Sequence, residues 1–514
     1  MIDIPSRPPA IELRGIDKRF GPVHANRAIS LSVPAGTIHG IVGENGAGKS
    51  TLMSILYGYY QADAGEILVD GQRRDIRTTG DAIAAGIGMV HQHFMLVDTF
   101  TVLENIVLGV EGGALLKGGM ERARAELQRL EREYRLDVDI DALVGDLAVG
   151  LRQRVEILKA LYRGANVLVL DEPTGVLTPA EADHLFRILA ALKQEGKTAI
   201  LITHKLREVM AITDNVTVMR RGAVVATVRT ADTSPSHLAE LMVGRKVLLS
   251  VERTPARPGR VVLKIDGLRV SDGLGVERVH DVSLEVREGE IVGIAGVAGN
   301  GQTELIEAIA GIRPVASGRI ALNEETLAGP GRSLSPRERR ERGLAHIPED
   351  RQRMGLVVPF AAHDSAILGQ QDQPAYNHYW LLDQRAIVDA CAEKMQRYDV
   401  RPDNPRLKSA NFSGGNQQKI VLAREIETDP DLLLVGQPTR GVDIGAIEFI
   451  HRRLIALRDA GKAILLVSVE LDEILGLADR ILVMNEGRVV GTLTAEEATE
   501  HKLGMLMAGV ARAA

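Results

Sequence analysis

Short unbroken apolar runs recur along the chain, among them "IHGIV" (38–42), "NVLVL" (166–170) and "TAILIT" (198–203), each followed by a polar or glycine-rich turn. Runs of this length without alternation predict strands covered on both faces, the habit of a parallel α/β sheet. Longer stretches of helical periodicity separate them. Between about 95 and 147 no such run occurs, and "GMERARAELQRLEREYRL" (119–136) spaces its charges as a helix does, which predicts a helical subdomain. Within that piece "FMLVDTFTVLENIVL" (94–108) holds more apolar residues than a solvated helix needs. A helical core accounts for most of them and a docking surface for the rest.

The pattern occurs twice. "ISLSVPAGTIHGIVGENGAGKSTL" (29–52) returns as "VSLEVREGEIVGIAGVAGNGQTEL" (282–305), and "LAVGLRQRVEILKALYRGANVLVLDEPT" (147–174) returns as "FSGGNQQKIVLAREIETDPDLLLVGQPT" (412–439). Spacings agree inside each half: 21 residues separate Gly150 from Asp171 and Gly415 from Gly436, and 32 separate Glu172 from His204 and Gln437 from Val469. The reading is two like α/β domains, 1–247 and 261–514, joined by a short surface linker (248–260) that includes "SVERTPARPGR" (250–260).

Bulk properties narrow the function classes. The 514 residues are 45% hydrophobic and 25% charged, enough for several buried cores, with a net charge of −6 and the two signs interspersed. No polyanion-binding surface is indicated, and the basic stretch Arg337–Arg342 reads as a solvated helix face, so nucleic acid is not favoured as a partner. A single cysteine, Cys391, excludes an intrachain disulfide and a multi-cysteine metal site, and reads as a small buried apolar residue. The start "MIDIPSRPPA" has no secretory pattern and no apolar run approaches the ~20 residues that span a bilayer, so a soluble chain inside the cell is expected.

The candidate chemistry lies at the ends of the apolar runs. "GENGAGKS" (43–50) matches a phosphate-binding loop in full: Gly43, Gly46 and Gly48 let backbone N–H groups approach phosphate oxygens, Lys49 reaches the β- and γ-phosphates, and Ser50 offers a hydroxyl to Mg²⁺. "VLVLDEP" (167–173) ends a strand on paired carboxylates, Asp171 for the Mg²⁺ shell and Glu172 to orient or deprotonate the attacking water, unless the two are salt-bridge partners. His204 in "LITHKL" follows the next run and is placed to meet the γ-phosphate. Gln92 in "MVHQHF" is an amide just past a strand.

These motifs in this order, on both halves, resemble the ATP-binding cassette family, and "FSGGNQQK" (412–419) is close to the family's signature sequence. The resemblance covers nearly the whole chain. It implies two tandem phosphate-loop NTPase domains, each a RecA-like core plus a helical subdomain, with ATP and Mg²⁺ as cofactors. It makes Lys49, Glu172 and His204 the catalytic set, with Ser50, Gln92 and Asp171 toward the metal. ATP would be held by Phe20, stacked on adenine unless it is an ordinary core aromatic, by Gly43, Glu44, Asn45, Gly46, Ala47, Gly48, Lys49, Ser50 and Thr51, by Gln92, and by Ser413, Gly414, Gly415 and Asn416 of the signature. The tandem form, with "HQHFMLVDTFTVLENIVLG" (91–109) and "IPEDR" (347–351), looks like the fused ATPase subunits of bacterial simple-sugar and nucleoside importers. That implies two integral-membrane permease subunits and, indirectly, an extracytoplasmic solute-binding protein, with this chain peripheral on the cytoplasmic face of the cell membrane. Soluble tandem members acting in translation or DNA repair are the alternative. The short linker, the degraded second half and the absence of zinc cysteines or a long coiled-coil insertion speak against them.

The second half departs from the pattern. Gln302 replaces the loop lysine, Gly436 and Gln437 replace the carboxylate pair, Val469 replaces the histidine, Glu349 aligns with Gln92, and "LRVSDG" (268–273) offers no aromatic. In the first half Ala148 and Val149 replace the signature serine and glycine, and Thr178 stands where the second half has Asp443. Family cassettes pair head to tail, each ATP lying between one phosphate loop and the other signature. On that arrangement the first-half loop with the second-half signature is complete, and all the losses at 302, 436, 437, 469, 148 and 149 fall on the other site.

Overall fold

The computed structural model describes residues 8–21, 23–91, 94–109, 116–134, 136–175, 177, 179–246, 253–297, 299–379, 381–507 and 509. Contacts divide the chain into two compact units, Met1–Val247 and Leu248–Ala514, built on one plan.

In the first unit the three apolar runs lie side by side. The six-stranded sheet runs Ala223–Arg229, Asn215–Arg220, Ile38–Val42, Thr198–Ile202, Val167–Asp171, Ile87–Val90, antiparallel at its first pair and parallel at the rest. The strands formed by the three runs are buried on both faces, which is why no polar alternation interrupts them. Leu168, Leu170 and Leu201 pack into a core shared with the helices, while Val167, Val169, Ile200 and Ile202 pack into a second core on the opposite face. That second core is closed by a four-stranded antiparallel sheet, Val23–Val33, Ile11–Phe20, Ala64–Val69 and Gln72–Arg74. These strands hold no unbroken apolar run because they alternate: Ile11 and Leu13 point inward, Glu12 and Arg14 do not.

The helical subdomain is Val102–Val107, Leu116–Tyr134 and Val149–Tyr162, and the described residues between 95 and 147 contain no strand. Its apolar excess divides as expected between core and surface. Val102, Leu103, Ile106 and Val107 are buried against Leu127, Leu130 and Leu158, whereas Met95, Val97, Phe100 and Leu108 are exposed. Thr101 starts the first of these helices with a capping box, its hydroxyl accepting from the Glu104 N–H while Glu104 accepts from the Thr101 N–H.

The second unit repeats the sheet as Arg488–Thr494, Arg480–Asn485, Ile291–Ala295, Ala463–Ser468, Leu432–Gly436, Leu344–Ile347, beside a five-stranded antiparallel sheet. Residues 253–260 form no helix or strand and are held to this unit: Arg253 donates to the Ala478 carbonyl at 2.7 Å and Arg458 to the Thr254 carbonyl at 2.9 Å. Cys391 is buried as a small apolar residue, and burial pushes its thiol up to about 12. Among the described residues no helix is long and apolar enough to cross a membrane.

The basic stretch 337–342 is not the solvated face that its composition suggests. Arg337 is exposed, but Arg339 is fully buried and donates to the carbonyls of Ala308, Ile309 and Leu334. Those first two carbonyls end the helix Gln302–Ala310 that follows the second phosphate loop, so the guanidinium caps the negative end of that helix dipole. Arg340 turns inward to the fully buried Glu425 at 2.7 Å, which also accepts from Arg424. Arg339→Ala should therefore lower the stability of this unit by about 2–4 kcal/mol, since buried carbonyls lose a charged donor. Arg337→Ala should stay within about 0.5 kcal/mol. Urea unfolding midpoints of the two variants check the contrast.

Candidate functional site

Parallel strands bring their carboxyl ends to one edge, and in the first unit this edge collects the candidate residues. Ile41 and Asp171 both pair with Ile202, so the loop after Val42, the carboxylates after Leu170 and His204 after Ile202 share one end of the sheet. Gly43 and Gly48 are required by crowding: a Cβ at Gly43 would stand 2.3 Å from the Met219 carbonyl oxygen, and one at Gly48, where φ is 95°, 2.3 Å from that of Ala25. Ala47 completes the turn by donating to the Glu44 carbonyl at 3.0 Å and accepting from the Gly222 N–H at 3.1 Å.

Lys49 begins the helix Lys49–Leu56 and folds back over the loop, donating from Nζ to the carbonyls of Gly43 at 2.7 Å and Glu44 at 3.1 Å. Burial pulls its pKa down, with Glu172, Asp171 and Glu44 acting against that. Ser50 hydrogen-bonds the Asp171 carboxylate, whose pKa burial raises, the Glu172 charge adding to the effect. A hydroxyl beside a carboxylate is a hard oxygen pair of the kind that suits Mg²⁺ bound chiefly through nucleotide phosphates. Glu172 sits at a strained φ of 45°, held there by its N–H donating to the Ile202 carbonyl at 2.8 Å. Its Oε1 lies 3.0 Å from His204 Nδ1, and that contact is the main cause holding its carboxyl below the usual range. Asp171 thus meets a hydroxyl and Glu172 an imidazole.

Phe20 ends the strand Ile11–Phe20 and is 41% exposed, edge-on to Tyr60 with ring centroids 5.2 Å apart and Lys18 Nζ 5.4 Å from its ring. It is not a core aromatic. Gln92 and Thr178 lie outside the described residues. In the second unit Ser413 caps the helix Gly414–Ile426, its hydroxyl accepting from the Asn416 side chain at 2.9 Å. Gly414 and Gly415 allow close approach to the Gly441 carbonyl and the Asp443 carboxylate, respectively. The equivalent helix of the first unit, Val149–Tyr162, starts at Ala148 with no side-chain cap.

The second loop keeps the shape of the first with different side chains. Gln302 Nε2 donates to the Val297 carbonyl at 3.2 Å, the counterpart of Lys49 to Glu44, and Asn300 donates to Val297 as Ala47 does to Glu44. Gln437 holds the same left-handed φ, 46°, with its N–H on the Val467 carbonyl at 2.8 Å, but its Oε1 accepts from the Val469 N–H.

One contributor belongs to no sequence motif. Glu208 is buried and accepts from the hydroxyls of Thr174, two residues past Glu172, and Thr203, next to His204. It ties together the two turns that bring Glu172 and His204 into contact. An acidic residue inside an ordinary short helix carries no sequence signal of that role.

A family described as "ABC transporter" matches residues 26–175 and 279–440. The chain belongs to that family. It is 47% identical over 499 residues to the "Nucleoside import ATP-binding protein NupA" of Lactococcus lactis, covering 97% of this chain and 98% of that one. It is 49% identical to the "Guanosine import ATP-binding protein NupO" of Bacillus subtilis, with 97% of each chain covered. The "Glucose import ATP-binding protein TsgD13" of Haloferax volcanii is 44% identical, with 98% of this chain and 96% of that one covered. Among solved structures, a chain from the "complex of archaeal ribosomal stalk protein aP1 and archaeal ribosome recycling factor aABCE1" is similar in fold, at TM-score 0.61 and 20% identity, covering 96% of this chain and 92% of that one. This ABC protein is an ATP-binding ATPase coupled to transport.

If Glu208 positions the two turns, Glu208→Ala should lower kcat by about 10²-fold while leaving the KM for ATP within about threefold, because misplaced groups cost turnover more than binding. Glu208→Gln, which keeps the volume and one acceptor, should recover part of the loss. Steady-state phosphate release measures both.

Proposed function

We propose that this chain hydrolyses ATP at one composite centre to drive import of a nucleoside or a simple sugar through two permease subunits, from the cytoplasmic face of the membrane. The observation that carries the reading is the cluster at one strand edge, Lys49, Ser50, Asp171, Glu172 and His204, set against its altered counterparts Gln302, Gly436, Gln437 and Val469. The complete loop is matched by the complete signature, Ser413, Gly414, Gly415 and Asn416, in the other repeat. The altered loop is matched by the uncapped Ala148 and Val149. Independent decay of two separate enzymes would scatter such losses.

In the proposed mechanism, Gly43, Glu44, Asn45, Gly46, Ala47, Gly48 and Thr51 present backbone and side-chain donors to the phosphates, while Lys49 swings from the Gly43 and Glu44 carbonyls onto phosphate oxygen. Ser50, Asp171 and Gln92 would hold Mg²⁺, which supplies charge neutralisation at the phosphates when bound. Glu172, its carboxyl held below the usual range by the His204 contact, takes the proton of the attacking water. Ser413 and its helix terminus supply further donors to the γ-phosphate from the other repeat. The exposed Met95, Val97, Phe100 and Leu108 are the proposed permease contact, with a solute-binding protein reached only through the permeases. The names of the relatives support import over translation or DNA repair, and support a nucleoside or sugar as the solute.

Glu172→Gln should lower turnover by roughly 10²–10⁴-fold with ATP binding retained. Lys49→Ala should abolish turnover, whereas Gln302→Ala should leave it largely intact. Phosphate release at saturating ATP, in the complex with the permeases, decides: equal damage from Gln302→Ala and Lys49→Ala would end the one-centre reading. Phe20→Ala should raise the KM for ATP with little change in kcat, because stacking on a base, worth about 1–3 kcal/mol, acts equally on ground and transition states.

A further inference from the structure

We propose that Arg351 is a positioning residue for ATP turnover: its guanidinium staples the turn at Arg440 and Gly441 to the start of the signature helix Gly414–Ile426, and so holds Ser413 in place for the γ-phosphate. The proposal rests on the composite centre argued above, to which the second repeat contributes its signature.

Arg351 Nη1 donates to the Arg440 carbonyl at 2.6 Å and Nη2 to the Gly441 carbonyl at 3.3 Å. Two consecutive carbonyls are thus taken by one planar fork, which an ammonium group does not reproduce. The same Nη2 lies against Gly414, where a Cβ would stand 2.5 Å from it and 2.6 Å from the Gly441 oxygen. Signature, turn and guanidinium therefore close on one another at a single point. Two residues past Gly441, Asp443 meets the next signature residue: a Cβ at Gly415 would stand 2.8 Å from its carboxylate, which also caps the helix Ile444–Asp459.

The segment that carries Arg351 is itself fixed along the signature helix. Asp350 accepts from the N–H groups of Gln352 and Arg353 and sets the turn Arg351–Gly355. From that turn Gln352 donates to Gln417 at 3.2 Å, and the Gly355 carbonyl accepts from Arg424 at 2.6 Å. Contacts at 414, 417 and 424 run along the helix, so the fork is presented to the helix start from an anchored turn.

The first repeat provides the contrast. Glu349 aligns with Gln92 and Ser413 with Ala148, which puts Phe94 at the place of Arg351 and Val149 at that of Gly414. Cation, glycine and serine are absent together, in the repeat whose signature is matched with the altered loop. A staple kept for folding alone would be needed equally in both units. Arg440 and Gly441 are exposed, so water can take over their carbonyls when the guanidinium is removed, and the fold loses little by it.

Steady-state phosphate release by the full chain with its permeases, in a double-mutant cycle of Arg351→Ala and Ser413→Ala, tests this. Arg351→Ala should lower kcat about tenfold with the KM for ATP within about threefold, because a misplaced group costs turnover more than binding. Arg351→Lys, which keeps the charge but reaches one carbonyl, should fall between the two. Ser413→Ala should lower kcat by about 10²-fold, and adding Arg351→Ala to it should cost no more than about a further twofold, since both changes act through one group. The thermal midpoint should stay at the parent's value; if Arg351→Ala lowers it, the same cycle is read with Arg351→Lys. An unchanged kcat, or losses that multiply in full in the double variant, overturns the proposal. A Ser413→Ala chain as active as its parent would instead overturn the composite-centre reading.

Discussion

The carbonyl oxygen of Ala25 lies against Gly48, and that of Arg278 against Gly301, so closely that a Cβ at either glycine would stand 2.3 Å away. The two glycines stand at φ 95° and 94°, and each starts the helix that follows its phosphate loop. A turn between two further strands fastens the loop from the other side, Gly222 donating to the Ala47 carbonyl and Gly487 to that of Asn300. These contacts are backbone to backbone, with uncharged amide side chains added, Asn26 donating to the Gly48 carbonyl at 3.0 Å and Asn300 accepting from the Glu486 N–H at 3.3 Å. The position of the loop, of its helix and of the side chain at 49 or 302 therefore depends on no charge, and a carboxamide takes up the lysine's resting hydrogen bond with the loop unchanged.

The same separation of shape from chemistry holds at the strand that carries the carboxylates. Glu172 and Gln437 occupy a left-handed conformation that a side-chain-bearing residue adopts at a cost of roughly 1–3 kcal/mol. In both units the compensation is a backbone hydrogen bond to the adjacent strand, from residue 172 to Ile202 and from residue 437 to Val467. Replacing carboxylate by carboxamide at this turn removes a proton acceptor and leaves the turn in place. His204 and Val469 follow suit: an imidazole meets Glu172 in one unit, and a backbone N–H meets Gln437 in the other.

Much of this was legible in the chain because its strongest signals are local. Unbroken apolar runs at 38–42, 166–170 and 198–203 marked three adjacent parallel strands, and the loop motif at 43–50 stated its own conformation through its glycines. What stayed hidden depends on which distant residues meet. Arg339 lies in a run of arginines that composition assigns to solvent, yet three carbonyls from two other segments draw it inside. Glu208 looks like any surface glutamate until the fold sets it between Thr174 and Thr203, and Glu349, legible only as the counterpart of Gln92, is set on Thr303. The antiparallel sheets carry a weaker sequence signal for a different reason, since their one-sided burial alternates apolar and polar residues and leaves no continuous run.

The altered positions of the second repeat cost its fold little, which bears on why they persist. Gly436 leaves no cavity, because the Glu349 backbone fills the space. Gln437 keeps its backbone conformation, Val469 is joined through its N–H, and Gln302 remains buried and bonded. Even the uncapped helix at Ala148 in the first repeat forfeits only about 1 kcal/mol. A domain drifting toward loss would accumulate cavities and unpaired buried groups at such places. Here Gly436, Gln437, Val469 and Gln302 each have a neighbour that accommodates the change, so the second loop keeps its shape with different side chains.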